Sequence, residues 1–406
     1  MTPQDAVTVA DELAEPAVHR LAGEKWWRQS LAHGAPGIAL LHIELAARGI
    51  RPWARAHTWL SYAASAPVTS GGSSGAFYGA PAVAYALATA AAVRPGSYQR
   101  ALTTLHARIG ADIQHRLREA GSRIDCGRTP LLAEFDTLRG LAGLGAHLLH
   151  RDPGSPELRE LLSYLVRLAQ PLTDQGEQVP GWWTKTAPTG RVDPAEFPGG
   201  HANLGLAHGI GGPLSLLSIC ALREVTVPRH TEAINVICRW TDRWRTDSPH
   251  GARWPYMVTW RELAAGPPTV VHSGARRRPS WCYGTAGAAR VQQLAAVATG
   301  DIARQRMAEA ALIGALTDPE QLTATVDATL CHGHAGLAAI ATRAAELSDP
   351  PAADQLRALA ADRLAATEPS PDCGPGLLEG TAGSALAALA AAGPPATAWD
   401  TCLLIA

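Results

Sequence analysis

One short phrase recurs seven times along these 406 residues: a glycine turn followed at once by a helix-sized run of small apolar residues. The copies read HGAPGIALL from His33, YGAPAVAYAL from Tyr78, RGLAGLGAHLL from Arg139, HGIGGPLSLL from His208, YGTAGAARVQQL from Tyr283, HGHAGLAAIA from His332 and EGTAGSALAAL from Glu379. Their first glycines, Gly34, Gly79, Gly140, Gly209, Gly284, Gly333 and Gly380, are spaced by 45, 61, 69, 75, 49 and 47 residues. A second glycine follows three residues later in every copy but the second, where Ala82 stands after Pro81.

Self-similarity of this kind means an array in which one helical unit is built again and again. Amphipathic segments at 98–120, 155–169, 229–245, 301–316 and 353–366 lie between the glycine-led ones, with charges on one face and Leu, Ile or Ala on the other. Breakers such as Pro95-Gly96, Pro153-Gly154 and Pro350-Pro351 close many of the inner segments. The alternation predicts about fourteen helices, seven small and apolar inside and seven polar-faced outside. Inner helices rich in Ala and Gly can approach one another closely around one axis. The expected fold is therefore all-α, an α/α ring or double-layer barrel formed by residues 1–406 as a single domain. An open solenoid is the alternative, but it would show more regular repeat lengths. In a ring the glycine turns gather at one end.

Two connections differ in character. Residues 174–200 and 246–279 are rich in Trp, Pro and Gly, with Trp182, Trp183, Trp254, Tyr256 and Trp260 among them. Loops this long are usually functional or disordered. Their aromatic content favours irregular or β-containing flaps over the mouth of the ring.

Hydrophobic residues make up 47 % and charged ones 17 %, enough for a sizeable core, and the net charge of −1 argues against nucleic acid or anionic lipid as the main partner. No apolar run has the length of a membrane span, and the acidic start MTPQDAVTVADELAEP does not resemble a signal peptide. These features predict a cytoplasmic protein. Seven cysteines, odd in number and scattered, do not form a disulfide framework.

The residue before each glycine varies, and the variation carries chemistry. The fifth copy begins Trp281-Cys282-Tyr283-Gly284 and the sixth Cys331-His332-Gly333-His334. Two thiols and an imidazole on neighbouring turns match the Cys₂His set of catalytic zinc, which keeps a fourth position for exchange. Two buried apolar cysteines are the simpler alternative. Both His332 and His334 could serve as the imidazole; His332 is favoured because it occupies the place before the glycine. His208 precedes Gly209, and Asp136 lies four residues before Gly140, where an N-cap role competes with a catalytic one. His33 holds the same place as His208 in the first copy. Arg278 closes the run Arg276-Arg277-Arg278, four residues before Cys282.

The blocks SLAHGAPGIALL, LAHGIGGPLSLL, WCYGTAGAARVQQLA, LCHGHAGLAAIA and GLLEGTAGSALAAL resemble, in order, those of the LanC family of lanthionine synthetases, over about residues 20–390. WCYG and CHG together carry most of that resemblance. It implies an α/α-toroid with one catalytic Zn²⁺ per chain held by Cys282, Cys331 and His332. It also implies an acid/base role for His208, an active-site role for Asp136, and roles for Arg278 and Tyr283. The Asp136 block departs most from the family pattern.

The implied activity is cyclisation of a lanthipeptide, in which a peptide Cys thiol adds to dehydroalanine or dehydrobutyrine to form a thioether ring. The expected partners are a dehydrated precursor peptide with a leader and a separate dehydratase. Addition of glutathione to dehydrated residues is a second reading with the same chemistry. A peptide-binding scaffold with a structural zinc is a third. An α/α-barrel glycan hydrolase would need paired carboxylates at the mouth, where the turns offer Cys and His instead.

Overall fold

The computed structural model describes residues 1–19, 21–191, 195, 197–267, 278–367 and 373–406. Arg276 and Arg277 lie outside the described residues. The chain divides into two compact units, Met1–Asp112 with Thr325–Cys402, and Ile113–Ala324 with Leu403–Ala406.

All seven glycine phrases open helices. In the first unit these are Ala35–Ala47, Ala80–Val93, His334–Ala345 and Thr381–Ala391; in the second, Leu141–Arg151, Gly211–Leu222 and Thr285–Thr299. They are predominantly apolar and largely buried: Ala35 to Leu45 are all buried in the first. Six of the seven first glycines sit at the N-cap position, without a capping side chain. Closeness explains the choice of residue. A Cβ on Gly34 would lie 1.8 Å from the carbonyl oxygen of Trp27.

The amphipathic segments fold as helices Gln99–Asp125, Pro156–Leu168, His230–Asp242, Ile302–Thr317 and Pro350–Ala365. Each lies within a few residues of its sequence-based bounds. Pro156–Leu168 shows the pattern well: Leu158, Leu161, Leu162 and Leu165 are buried along one stripe, and Ser155 caps its start by accepting from Leu158 N. A further helix, Trp53–Ala63, pairs with Ala35–Ala47.

The seventh polar-faced helix comes from the start of the chain. Pro3–Glu12, opened by a Thr2/Asp5 capping box, packs on Thr381–Ala391, which in turn packs on Ala35–Ala47. Within the first unit the last repeat therefore joins the first directly, as an open solenoid would not. Together these make seven inner and seven outer helices, with three short ones besides among the described residues.

Backbone hydrogen bonds run from turn to turn. In the first unit Leu31 N donates to Phe77 O, Leu378 N to Ala32 O and Cys331 N to Leu378 O, each at 2.9 Å. In the second, Thr137 N donates to Ala207 O at 3.0 Å and Ala207 N to Cys282 O at 3.3 Å. Each unit thus gathers its own glycine turns at one end of its helices.

The Trp-rich connections contain short antiparallel strands, all in the second unit. Leu172–Asp174 pairs with Glu177–Val179, and Thr246–Ser248 with Gly251–Arg253. A three-stranded sheet sets Trp183–Thr184 and Met257–Thr259 on either side of His201–Asn203. Trp182, Trp183 and Trp254 are buried here. None of the seven cysteines is in a disulfide. No helix among the described residues is long and apolar enough to cross a membrane.

Candidate active site

In the second unit, three glycine turns bring together most of the residues that the sequence singled out. Asp136 ends the short helix Leu132–Phe135 and is completely buried. Its Oδ1 accepts from the backbone N–H of Arg139 at 2.6 Å and of Gly140 at 2.7 Å, so it closes the turn that leads into the helix beginning at Leu141. Its Oδ2 lies 2.8 Å from Nδ1 of His208. The structural and catalytic readings of Asp136 are therefore not rivals: one oxygen serves the turn and the other faces the histidine. Arg139 Nε, 3.9 Å from the same Oδ2, adds positive charge beside it.

His208 remains 18 % exposed at its side chain while Asp136 is sealed. A buried carboxylate at Nδ1 fixes the tautomer and leaves Nε2 as the nitrogen that can exchange protons. The ring of Tyr283 lies beside that of His208, with centroids 6.4 Å apart. Burial pushes the Tyr283 hydroxyl well above the ordinary phenol value, only partly opposed by the hydrogen bond from Asn203. Asn203 donates from Nδ2 to the Tyr283 oxygen at 2.9 Å, and its own Oδ1 accepts from Gly205 N at 3.0 Å.

Cys282 is buried at 6 % exposure, and its carbonyl is tied to Ala207 in the turn that carries His208. Gly284 follows in the left-handed region with φ of 128°, where a Cβ would lie 2.2 Å from Arg278 O; no other residue type fits. That same Arg278 carbonyl accepts from the Tyr256 hydroxyl at 2.8 Å, and the Tyr256 ring lies tilted against that of Tyr283, with centroids 5.5 Å apart. Arg278 thus enters the geometry through its backbone.

In the first unit, Cys331 and His332 occupy the turn before the helix His334–Ala345. His332 Nε2 lies 3.2 Å from Asp327 Oδ2, and Asp327 Oδ1 is fixed by Thr329 N at 2.8 Å and Thr329 Oγ1 at 2.7 Å. A carboxylate held behind an imidazole is the arrangement that sets the tautomer of metal-binding histidines. His334 differs. It begins the helix, burial lowers its pKa, and a hydrogen bond with the Thr325 backbone engages its ring. His33 differs from His208 as well: its Nδ1 is 3.8 Å from Glu379 Oε2, and both side chains are nearly half exposed.

Asn203 and Asp327 escaped the sequence reading, and Tyr256 was singled out there only as a flap aromatic. A signal for the first two existed. Asn203 and Asp327 each stand six residues before their first glycine. Each accepts on its carbonyl from the residue after that glycine, Ile210 N at 2.9 Å and His334 N at 3.0 Å. A polar side chain at this loop-closing place is thereby directed back into its own turn.

This helical-repeat architecture has a solved counterpart. The structure of nisin cyclase matches 99 % of this chain and 97 % of its own, with a TM-score of 0.80 at 19 % identity. The likeness shows the fold, the all-α α/α-toroid that the seven repeats predicted. A family model described as lanthionine synthetase C-like protein matches residues 25–404, and the chain belongs to that family. No curated protein sequence matches it.

Proposed function

We propose that this protein is a zinc-dependent lanthipeptide cyclase, and that Cys282, Cys331 and His332 are its metal ligands. The observation that carries the reading is the 2.8 Å pairing of buried Asp136 with half-open His208, on the turn bonded to that of Cys282. Family membership supports the reaction class. The donor set suits the metal: two thiols and an imidazole, with the Asp327 carboxylate already behind that imidazole. When bound, zinc supplies Lewis acidity that turns a substrate thiol, of pKa near ~8.5, into a thiolate at neutral pH.

The reaction adds S–H across a carbon–carbon double bond, and neither redox cofactor nor leaving group is needed. Sulfur bonds to Cβ of dehydroalanine or dehydrobutyrine, the π electrons move to the carbonyl as an enolate, and a proton arrives at Cα. His208, oriented through Nδ1 by Asp136, holds and moves that proton through Nε2. The neutral Tyr283 hydroxyl, steadied by Asn203, offers a donor to the enolate oxygen. Arg278 is assigned beside it from the family resemblance. The substrate is a precursor peptide dehydrated beforehand by a separate enzyme.

The test is to give the purified protein a dehydrated peptide containing one Cys, with and without glutathione, then alkylate and read masses. The expected product keeps the peptide mass and loses its free thiol in both arms. A glutathione adduct as the only product would overturn cyclisation in favour of intermolecular addition, and no thioether from zinc-replete protein would overturn the enzyme reading altogether.

A further inference from the structure

A cavity of about 650 Å³ in the second unit is a groove bounded by the hairpin strand Glu177–Val179, the outer helix His230–Asp242 and the short helix Trp260–Ala265. None of the residues assigned to catalysis or metal binding lines it. Its volume is in the range of ligand sites. Its walls are aromatic: Trp182, Trp240 and Trp260, with Trp240 edge-on to Trp182 at 5.2 Å.

Two arginines and one buried indole N–H stand out among the polar groups of the groove. Arg239 and Arg243, one helical turn apart, both line it and are exposed. Among the described residues neither guanidinium takes part in a hydrogen bond or ion pair, whereas Arg229 and Arg304, at the same helix, pair with Glu232 and Asp242. Trp182 is 1 % exposed and its indole Nε1–H finds no acceptor. Glu177 is the single acid of the lining, against two arginines.

We propose that this groove docks an acidic segment of a polypeptide, with carboxylates on Arg239 and Arg243 and apolar side chains against Trp240, Trp260 and Leu263. The segment belongs to the same peptide whose cysteine reacts, which rests on the function proposed above. A chain fits better than a small acid, because the arginines and the aromatic faces together ask for charge and apolar surface in alternation. The groove is also built into the catalytic framework. Trp183, next to Trp182, pairs through its strand with the strand that ends at Asn203, and Met257–Thr259 on the other side leads directly into Trp260. Trp183 and Trp260 meet edge to face at 5.9 Å across this sheet. Docking outside the reacting centre raises the local concentration of the reacting residues without dictating which of them react.

The test uses the full chain and three labelled synthetic peptides, in which Glu, Gln or Lys alternates with Leu and Phe, followed by fluorescence anisotropy. The Glu peptide should bind at least about tenfold more tightly than the Gln peptide, with the difference shrinking in high salt, and the Lys peptide should not bind. Arg239→Glu with Arg243→Glu, both at exposed positions, should abolish the preference. It should raise KM about tenfold for a dehydrated substrate that carries an acidic extension, and leave kcat unchanged. A substrate without the extension should be processed equally by both proteins. Equal binding of the Glu and Gln peptides, or a charge-reversed protein that still prefers Glu, would overturn the proposal. Binding requires no turnover, so a protein that selects the Glu peptide but closes no ring would refute the cyclase reading and leave the groove assigned.

Discussion

Asp136 Oδ2 stands 2.8 Å from His208 Nδ1 while Asp136 Oδ1 closes the neighbouring turn through two backbone N–H groups. One buried carboxylate therefore couples the fold of the third repeat to the protonation chemistry of the fourth.

Replacing Asp136 by Asn separates these two duties. The amide oxygen can still accept from Gly140 N, so the turn survives and stability changes little. The amide N–H₂ set against Nδ1 favours the wrong tautomer of His208. The expected outcome is a fall in kcat of about 10²–10⁴-fold with zinc content and melting temperature near wild type. Wild-type turnover by the Asn protein would remove Asp136 from the mechanism.

His208→Ala and His33→Ala test whether the place before the glycine or its partner matters. Both histidines precede a glycine turn, but the carboxylate that His33 faces is the exposed Glu379, with Trp26 edge-on to its ring. An exposed pair of this kind contributes about 0–1 kcal/mol. The His33 variant should cyclise normally, while the His208 variant should retain zinc and lose most of its rate. Equal damage from both would assign these histidines to turn structure.

Cys331→Ala should lose the metal and the activity together and stay folded. The first unit is held by buried inner helices and turn-to-turn hydrogen bonds, in which Cys331 takes part through its backbone N–H. Elemental analysis beside a thermal melt checks this. Cooperative unfolding on loss of zinc would make the metal structural.

The architecture was legible because the repeat itself is the signal: small residues after glycine must pack inward, and amphipathic segments must cover them. The contribution of Pro3–Glu12 was not legible, since its partner Thr381–Ala391 lies at the other end of the sequence. In the site, residue type marked His208, Cys282 and Cys331. It could not tell His208 from His33, because the difference is a carboxylate 72 positions away in one case and an exposed Glu in the other. Asn203 and Asp327 were hidden for a related reason: their place in the repeat becomes meaningful only once the carbonyl at that place is seen to close the loop.

Acid should weaken the fold through buried imidazoles. Burial holds His42, His150 and His201 down at about 4, against an ordinary value near 6.5. Such groups bind protons in the unfolded chain before the folded one. The stability is full above about pH 6.5 and is lost as pH falls toward about 4. His201 makes the sharpest test, since it is fully buried against Phe197 with neither ring nitrogen hydrogen-bonded among the described residues. His201→Leu should flatten the dependence of melting temperature on pH in that window. An unchanged slope would exclude His201 as a contributor.

The turn that carries Cys282 has one more support, at residues 403–405. Trp281, its immediate neighbour, is 1 % exposed and donates from Nε1 to the Leu403 carbonyl at 2.9 Å. Ser215 donates to the Leu404 carbonyl. Arg290, also 1 % exposed, reaches the Ile405 carbonyl through Nε at 2.9 Å and Nη2 at 2.8 Å. Three consecutive carbonyls thus receive donors from the inner helices Gly211–Leu222 and Thr285–Thr299 and from the turn between them. Deleting residues 403–406 withdraws these acceptors from buried donors, at a cost of about 1–3 kcal/mol for each group left unpaired and more for a cation. The melting temperature should drop by several degrees or more, on the order expected for losses of that size. Zinc retention should fall as well, because the Trp281 ring no longer fixes the backbone beside Cys282. Trp281→Phe keeps an aromatic ring but removes the donor together with part of the indole, so it should show the metal effect with a smaller thermal one than the truncation. A truncated protein with full zinc content would free the Cys282 turn from the tail, and an unchanged melt would show that the buried donors find other acceptors.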